Sequence, residues 1–268
     1  MASVRIAAIQ MVSRSEVAPN LEAAGRLIAA AADAGARLVA LPENFYIIGR
    51  HETDKVKAKE RDGHGPIQDF LAWAARKHRV WVVGGTAPIA VADENRIRSA
   101  CLVFDDTGRR VARYDKMHLF RFDSTDERHD EARTLEPGEG AVAIDSPFGR
   151  LALSICYDVR FPELYRGLGA FDVMFVPSAF TVPTGGAHWE TLLRARAIEN
   201  LAYVVAPAQG GRHDSGRSTY GHTLIVDPWG EILGVRPEGE GLVLAEIDSA
   251  RIHKVRESLP ALNNRRTI

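Results

Sequence analysis

Short apolar runs separated by amphipathic stretches organise the first half of the chain. The three runs that predict buried strands span residues 4–9, 37–41 and 80–84. The first intervening stretch is alanine-rich and predicts a helix over residues 21–34, capped by Pro19-Asn20. The second predicts a helix that opens at Gly65-Pro66 and runs to about residue 78. This β-α-β-α-β order predicts a sheet with helices packed outside it.

Two further apolar runs predict a hairpin in the same sheet system. They cover residues 100–104 and 109–114, and the polar turn 105–108 joins them. Antiparallel pairing therefore enters next to the parallel strands, and the sheet is expected to be mixed.

The second half of the chain repeats this alternation. Predicted strands cover residues 141–144, 151–155, 173–176, 203–206, 223–226, 231–235 and 241–247. Predicted helices cover residues 162–168 and 188–200, and a last one starts near Ser249. With strands inside and helices outside, the pattern predicts an α/β fold: a four-layer α-β-β-α sandwich with two mixed central sheets, formed by one domain over residues 1–268.

Composition and charge limit the partners and the cellular compartment that can be expected for this protein. The 268 residues are 46% hydrophobic and 26% charged, with a formal net charge of −1. Such a balanced charge gives no basic surface for nucleic acid or for an anionic membrane, so small molecules are the expected partners. No signal peptide and no apolar stretch of about 18 residues is found, and Cys101 and Cys156 are expected to be unpaired thiols in a reducing compartment. A cytoplasmic protein is therefore expected.

Three polar side chains follow the ends of separate predicted strands. They are Glu43, Lys116 and Cys156. Because strand ends at one edge of an α/β sheet converge on a crevice, these distant residues can meet there. A thiol becomes a good nucleophile only as the thiolate, which needs a base and a nearby cation, and the glutamate and lysine can supply both. A buried cysteine that merely fills space is the alternative.

Three segments around these residues resemble the signatures of the nitrilase superfamily of carbon–nitrogen hydrolases. They are residues 41–45 (LPENF), 114–120 (YDKMHLF) and 155–164 (ICYDVRFPEL). The resemblance runs from about Val4 to Arg266 and includes residues 186–190 and 220–222.

The resemblance implies a Glu-Lys-Cys triad on the α-β-β-α sandwich. In it Glu43 acts as general base and acid, Lys116 stabilises the tetrahedral intermediate, and Cys156 attacks the substrate to form a thioester. The backbone N–H of Tyr157 would complete the oxyanion hole, and Glu131 matches a second glutamate that orients the lysine. A homodimer or higher homo-oligomer is the expected assembly, with no cofactor.

Within the superfamily the chain looks most similar to deaminated glutathione amidases, with omega-amidases acting on 2-oxoglutaramate and N-carbamoyl amino acid hydrolases as alternatives. The first class cleaves deaminated glutathione to 2-oxoglutarate and cysteinylglycine. Such substrates carry carboxylates, which cationic side chains bind well. The candidates are Arg160, Arg194, Arg212 and His213.

Two other functions compete with this prediction. In one, His188 deprotonates the cysteine while Glu190 orients the ring, although Ile155 and Tyr157 are expected to be too bulky for the glycine-flanked turn of such enzymes. In the other, the chain is a catalytically silent binding module. A metal site is not expected, because the nine histidines show no His-Glu-x-x-His spacing.

Overall fold

The computed structural model of the protein describes residues 3–123 and 128–266. The α-helices in this part of the chain are α1 (Val17–Asp33), α2 (Asp54–Lys57), α3 (Pro66–His78), α4 (Pro162–Gly167), α5 (Val182–Asn200) and α6 (Ser249–Ser258). The strands are β1 (Val4–Gln10), β2 (Leu38–Ala40), β3 (Trp81–Val83), β4 (Ala87–Ala90), β5 (Ile97–Phe104), β6 (Arg110–Asp115), β7 (Arg121–Asp123), β8 (Arg128–Asp130), β9 (Val142–Ser146), β10 (Gly149–Leu153), β11 (Val173–Phe175), β12 (Tyr203–Ala206), β13 (Gly210–Arg212), β14 (Ser218–Tyr220), β15 (Thr223–Val226), β16 (Ile232–Arg236) and β17 (Gly241–Ile247).

Two large mixed sheets form the centre of the molecule. The first has the order β17-β1-β2-β3-β5-β4, with β6 also paired to β5, and the second has the order β16-β15-β12-β11-β10-β9. In the first sheet β1, β2 and β3 are parallel, whereas β5 is antiparallel to β3. In the second sheet β10, β11 and β12 are parallel. The predicted mixture of parallel and antiparallel pairing is confirmed.

Alternation along β1 shows how the layers are built. Ile6 and Ala8 belong to the hydrophobic cluster shared with the second sheet, whereas Ala7 and Ile9 belong to the cluster beneath α1 and α3. Because successive strand residues point to opposite faces, one strand serves both interfaces. The second sheet is covered in turn by α5, whose Trp189 lies in the first of these clusters. The predicted four-layer α-β-β-α sandwich is confirmed.

The start of α1 differs from the predicted cap at Pro19-Asn20. The helix already begins at Val17, so both residues lie in its first turn, where proline is tolerated because its missing N–H would have had no partner. The Asn20 side chain instead bonds the preceding loop: its amide donates to the carbonyls of Arg14, Glu16 and Tyr46.

Helix α5 also begins earlier than predicted, at Val182 rather than at residue 188. The Thr181 side chain caps it by accepting a hydrogen bond from the Thr184 amide. Gly185 is required within the first turns, because a Cβ there would lie 2.2 Å from the ring of Tyr220. Glycine thus serves packing here rather than ending a helix.

The structure also contains short strands that the hydrophobic pattern did not predict. They are β4, β7, β8, β13 and β14. By contrast, β12 and β17 have the predicted bounds, and α3 covers the predicted range from Pro66 to His78.

None of the helices in residues 3–123 and 128–266 combines the length and apolar character needed to cross a membrane.

Candidate active site

Glu43 reaches the site on a tight loop after β2. The loop is held by the Leu41 amide, which donates to the Val83 carbonyl, and by the Gln209 side chain, which donates to the Glu43 carbonyl. Gly85 lies directly behind it with φ +55°, and a Cβ there would lie 2.0 Å from the Pro42 carbonyl oxygen. The residue at position 85 must therefore be glycine for the loop to take this course.

Lys116 follows β6 and lies between two carboxylates. Its Nζ is 2.8 Å from Glu43 Oε1 and 2.8 Å from Glu131 Oε2. The lysine side chain is 1% exposed and that of Glu43 is 4% exposed. Glu131 also accepts a hydrogen bond from the Phe120 amide, which fixes the orientation of its carboxylate. The sheet therefore brings together the glutamate and the lysine that the sequence placed at its edge.

Cys156 lies at a strained turn from the second sheet into a short 3-10 helix (Cys156–Arg160). Its φ is +49°, in the left-handed region that residues other than glycine rarely occupy. The preceding Ile155 is fully extended, so only the cysteine takes the unusual conformation. A tight turn presents the thiol here without flanking glycines.

The buried carboxylate of Asp158 holds this turn against the end of β6, the strand that precedes Lys116. Its Oδ2 accepts from the Tyr114 hydroxyl at 2.7 Å and from the Ile155 amide at 2.8 Å. Its Oδ1 accepts from the His118 amide at 3.0 Å and lies 2.7 Å from His118 Nδ1. Asp158 therefore connects the two sheets directly behind the site.

The electrostatics of the site favour a neutral thiol at rest. Burial and the negative charge of Glu43 raise the pKa of Cys156 well above its ordinary value, against the opposing effect of Lys116. Burial alone would lower the pKa of Lys116, but Glu131 and Glu43 raise it well above its ordinary value. Burial would raise the pKa of Glu131, but Lys116 and Lys55 hold it low. The lysine is thus held in its charged form by the two carboxylates on either side of it.

Cys156 lines two cavities, and a third adjoins them. The deepest is lined by Glu43, Glu131 and Cys156 and opens past Phe120. A narrow cleft leads from the cysteine to Arg160 along Tyr157 and Phe180. An open cavity of about 350 Å³ lies on the other side, towards Arg217. Ala179 and Thr181 line all three, so the cavities are parts of one site.

Arg160, predicted to bind a carboxylate, lies in the narrow cleft. Its guanidinium carbon is 5.6 Å from the ring centre of Tyr157 and 5.5 Å from that of Phe180. Both terminal nitrogens are 3.4 Å from His188 Nδ1, and among the described residues its buried Nε has no hydrogen-bond partner. A cation with an unsatisfied donor beside the thiol suits a substrate anion.

The other predicted cations lie elsewhere. His213 is buried and bonded to the Ser13 carbonyl and the Thr219 hydroxyl, and burial lowers its pKa. Arg212 is exposed and lines a separate surface cavity. Arg194 donates from Nε to the Gly230 carbonyl. None of these three residues lines the deep cavity, the narrow cleft or the open cavity, and their role in binding the substrate stays a prediction.

The competing histidine mechanism also conflicts with the geometry. His188 is exposed on α5 and contacts Arg160, and it lines neither the deep cavity nor the narrow cleft at Cys156. Glu190 lies 3.6 Å from Arg194, so it does not orient the His188 ring. Glu43, in contrast, lines the same cavity as the thiol.

Sequence reasoning missed the charged residues at the mouth of the site. Lys55 and Glu52 come from the segment at α2, and Arg217 comes from the loop between β13 and β14. The only sequence signal for Arg217 is its place in a polar, glycine-containing stretch between the predicted strands at residues 203–206 and 223–226, a common location for binding residues. Across residues 3–123 and 128–266, no group of three or more His, Cys, Asp or Glu side chains is arranged to hold a metal ion.

Comparison with known proteins agrees with this fold. The family model for carbon-nitrogen hydrolases matches residues 5–257. The chain therefore belongs to the carbon–nitrogen hydrolase family, within the nitrilase superfamily, and is a carbon–nitrogen hydrolase.

Similar proteins are found over the full length of the chain. A Synechocystis protein named deaminated glutathione amidase is 43% identical, with 97% of each chain covered. A human protein of the same name is 36% identical over 97% of this chain and 82% of its own. The crystal structure of Saccharomyces cerevisiae Nit3, described as a member of branch 10 of the nitrilase superfamily, superposes with a TM-score of 0.85 at 32% identity, covering 96% of this chain and 94% of its own.

Proposed function

We propose that the protein hydrolyses deaminated glutathione to 2-oxoglutarate and cysteinylglycine through a thioester on Cys156. The observation that carries the mechanism is the cavity shared by Cys156, Glu43 and Glu131, with Lys116 buried between the two carboxylates. The choice of substrate is supported by the names of relatives that are 36–43% identical.

In the first half of the reaction, Glu43 takes the thiol proton as the Cys156 sulfur bonds to the amide carbon. The negative charge that develops on the carbonyl oxygen is stabilised by the Lys116 ammonium and by the Tyr157 N–H at the start of the 3-10 helix. When the tetrahedral intermediate collapses, the C–N bond breaks and Glu43 returns the proton to the leaving nitrogen. A thioester and a free amine result.

In the second half, a water molecule replaces the amine. Glu43 removes a proton from this water as its oxygen attacks the thioester carbon, and the same two donors stabilise the oxyanion. The C–S bond then breaks, the sulfur regains the proton, and the carboxylic acid leaves. One water is consumed and the thiol is restored.

The raised pKa of Cys156 explains why a base must stand beside it. A neutral thiol is a poor nucleophile, so proton removal has to accompany attack rather than precede it. Glu131 does not need to touch the substrate in this scheme. Its two oxygens lie 3.0 and 2.8 Å from Lys116 Nζ and position the ammonium towards the reacting carbonyl.

Arg160 is proposed to bind the carboxylate of the acyl part. It lines the narrow cleft together with Cys156, and its buried Nε lacks a partner among the described residues. A carboxylate at the end of a five-carbon 2-oxo acid would meet the guanidinium while the amide carbon lies at the sulfur. His188 contacts Arg160 from outside and is proposed to steady it.

Omega-amidase activity on 2-oxoglutaramate is the second candidate, because it needs the same acyl cleft and the same three catalytic side chains. N-carbamoyl amino acid hydrolysis has no comparable support in the contacts of the site. The catalytically silent module is not favoured, since burying a lysine and two glutamates is unfavourable and serves no purpose without a reaction.

Turnover of the three candidate substrates by the purified protein tests the proposal. We expect the highest kcat/KM for deaminated glutathione, and rapid quenching followed by mass spectrometry should show a 2-oxoglutaryl adduct on Cys156. The Cys156→Ala variant, with Cys101 intact, should show neither adduct nor product. Product formation without Cys156, or faster turnover of another substrate, would contradict the mechanism or the substrate respectively.

A homodimer in a reducing, cytoplasmic setting completes the proposal. Trp229 and Ile198 are 56% and 46% exposed, and Gly230, next to the tryptophan, lies against Ile198. An apolar surface of this kind is usually covered in an assembly. Both thiols are free, as a reducing compartment would leave them. Light scattering measures the mass of the protein in solution, and the mass of a monomer would contradict the proposed homodimer.

A further inference from the structure

The open cavity of about 350 Å³ that adjoins the deep cavity has the character of an anion site. Its described lining includes Arg217, Arg128 and His129, together with Ser218 and Thr219. Among the described residues that line it there is no aspartate or glutamate. It shares His129, Ala179, Thr181 and Arg217 with the deep cavity that contains the thiol, so a molecule bound at Cys156 can extend into it.

Arg217 is the residue of this cavity best placed to bind a ligand. It lines both the open cavity and the deep one, and its side chain is 37% exposed. Its contact to Glu52 is 3.4 Å long, whereas charge-assisted hydrogen bonds in proteins measure about 2.7–2.9 Å. Glu52 has a closer partner in Lys55, at 3.0 Å. Arg217 can therefore turn to a ligand without leaving Glu52 unpaired.

The proposed substrate carries a second carboxylate that this cavity would fit. The narrow cleft at Arg160 suits the compact acyl part, which leaves the wider cavity for the leaving amine. In deaminated glutathione that amine is cysteinylglycine, whose terminal carboxylate lies two residues, roughly 7 Å, beyond the scissile nitrogen. In 2-oxoglutaramate the leaving amine is ammonia, which has no carboxylate.

We propose that Arg217 binds the carboxylate of the leaving peptide and so selects amides with a carboxylated leaving group over primary amides. This inference rests on the proposed function. Arg128, 71% exposed at the outer rim and paired with Asp123, adds positive charge along the path. Arg217 acts on the leaving side of the site, and Arg160 acts on the acyl side.

The test compares Arg217→Ala with the wild type on three substrates: deaminated glutathione, its analogue with a C-terminal carboxamide, and 2-oxoglutaramate. For deaminated glutathione we expect kcat/KM to fall about 10- to 100-fold, mainly through KM, because a hydrogen bond between charged groups is lost. For the carboxamide and for 2-oxoglutaramate the change should stay within about threefold, since neither presents the anion. In the wild type, the carboxamide should already show the full loss.

Two control variants sharpen the comparison. Arg217→Lys keeps the charge but not the planar fork, so it should recover part of the loss. Arg109→Ala removes an exposed arginine, paired with Asp105, from the distant β5–β6 turn and should change none of the three rates. Turnover of 2-oxoglutaramate at the wild-type rate shows that Arg217→Ala is folded.

The outcomes separate this inference from the function on which it rests. Wild-type protein that hydrolyses 2-oxoglutaramate but not deaminated glutathione overturns the proposed substrate, and the role of Arg217 falls with it. If the wild type hydrolyses deaminated glutathione and Arg217→Ala does so equally well, only the role of Arg217 is overturned. An equal loss on all three substrates would show a structural role and would likewise overturn it.

Discussion

Cys156 combines a strained backbone with a suppressed thiol acidity. A non-glycine residue with φ +49° is held there at a cost of about 1–3 kcal/mol, which the surrounding hydrogen bonds must offset. Its amide donates to the Pro177 carbonyl at 2.9 Å, and the Ala179 backbone hydrogen-bonds the sulfur. The turn thus aims the thiol into the cavity, while burial and Glu43 keep it protonated until a substrate arrives.

Glu43→Gln should separate the acidity of the thiol from its use in catalysis. Removing the negative charge lowers the pKa of Cys156, because Glu43 is one of the groups that raise it. The thiolate midpoint, followed by ultraviolet absorbance, should therefore move to lower pH than in the wild type. Amide hydrolysis should nevertheless fall by about 10²- to 10⁴-fold, because the general base is gone.

Cys156→Ser provides the baseline for this titration, since it leaves Cys101 as the remaining thiol. Burial raises the pKa of Cys101 to about 12, and its signal is removed by subtracting this baseline. A midpoint that moves to higher pH in Glu43→Gln would show that Glu43 stabilises the thiolate. That result would contradict the electrostatics described for the site.

The sequence predicted the candidate catalytic residues. It did not predict the arginine at the mouth of the cavity, whose position depends on the tertiary fold. Glu43, Lys116 and Cys156 follow buried strands, and strand ends converge by rule. In the sequence, Arg212 and Arg217 both lie between the predicted strands at residues 203–206 and 223–226, and neither has a distinguishing local pattern. Which one enters the cavity is decided by the β13–β14 hairpin, a tertiary feature that periodicity does not show.

Among the elements, the end of β6 and the turn after β10 form a unit through Asp158. The carboxylate accepts from both sides, so the position of the lysine relative to the sulfur is set by one buried side chain. This connection joins the two sheets. Without it, a small shift of one sheet relative to the other would separate Lys116 from the Cys156 sulfur. Asp158 is therefore a positioning residue.

Asp158→Asn should lower kcat by about 10- to 100-fold with little change in KM, because a misplacement of about 1 Å weakens attack more than binding. One acceptor oxygen becomes a donor that faces the Tyr114 hydroxyl or the Ile155 amide, so the free energy of unfolding should fall by roughly 1–3 kcal/mol. Steady-state kinetics and urea titration measure both changes.

The same exchange at Asp106, in the β5–β6 turn, is the matched control and should leave kcat unaltered. A parallel rise of KM in Asp158→Asn with constant kcat would argue that the residue shapes the substrate pocket instead of the alignment of the catalytic groups.

Elements with strong periodicity were predicted well, and those shaped by contacts were not. Helix α3 has both an opening proline and an apolar face, and its range is confirmed. The true start of α5 was hidden because Gly185 and Gly186 suggest a loop, although Gly185 is there to accommodate Tyr220. Strand β4 contains Pro88, which lowers strand propensity, and it forms by pairing with β5 at the edge of the sheet.

On the scale of the whole molecule, the first and last strands lie side by side. All seven residues of β1 pair with β17, so the C-terminal part of the chain completes the sheet that the N-terminal part begins. The site has the same divided origin: Glu43, Lys116 and Glu131 belong to the first half of the chain, and Cys156 and Arg217 to the second. Neither half holds a complete core or a complete site.

We therefore expect the chain to unfold as one cooperative unit. In urea, far-ultraviolet circular dichroism, tryptophan fluorescence and amide hydrolysis should be lost in coincident transitions. Trp81 on β3 and Trp189 on α5 report on different layers, so fluorescence samples both sheets. Two separated transitions would show that the halves are independent domains.

The burial of Cys101 has a practical consequence for studying the protein. With one thiol sealed inside the sheet at 0% exposure and the other opening onto a cavity, a small electrophile meets a single target per chain. Labelling stoichiometry would then count functional molecules in a preparation, and a tagged haloacetamide would serve as an occupancy sensor for any inhibitor that fills the cleft.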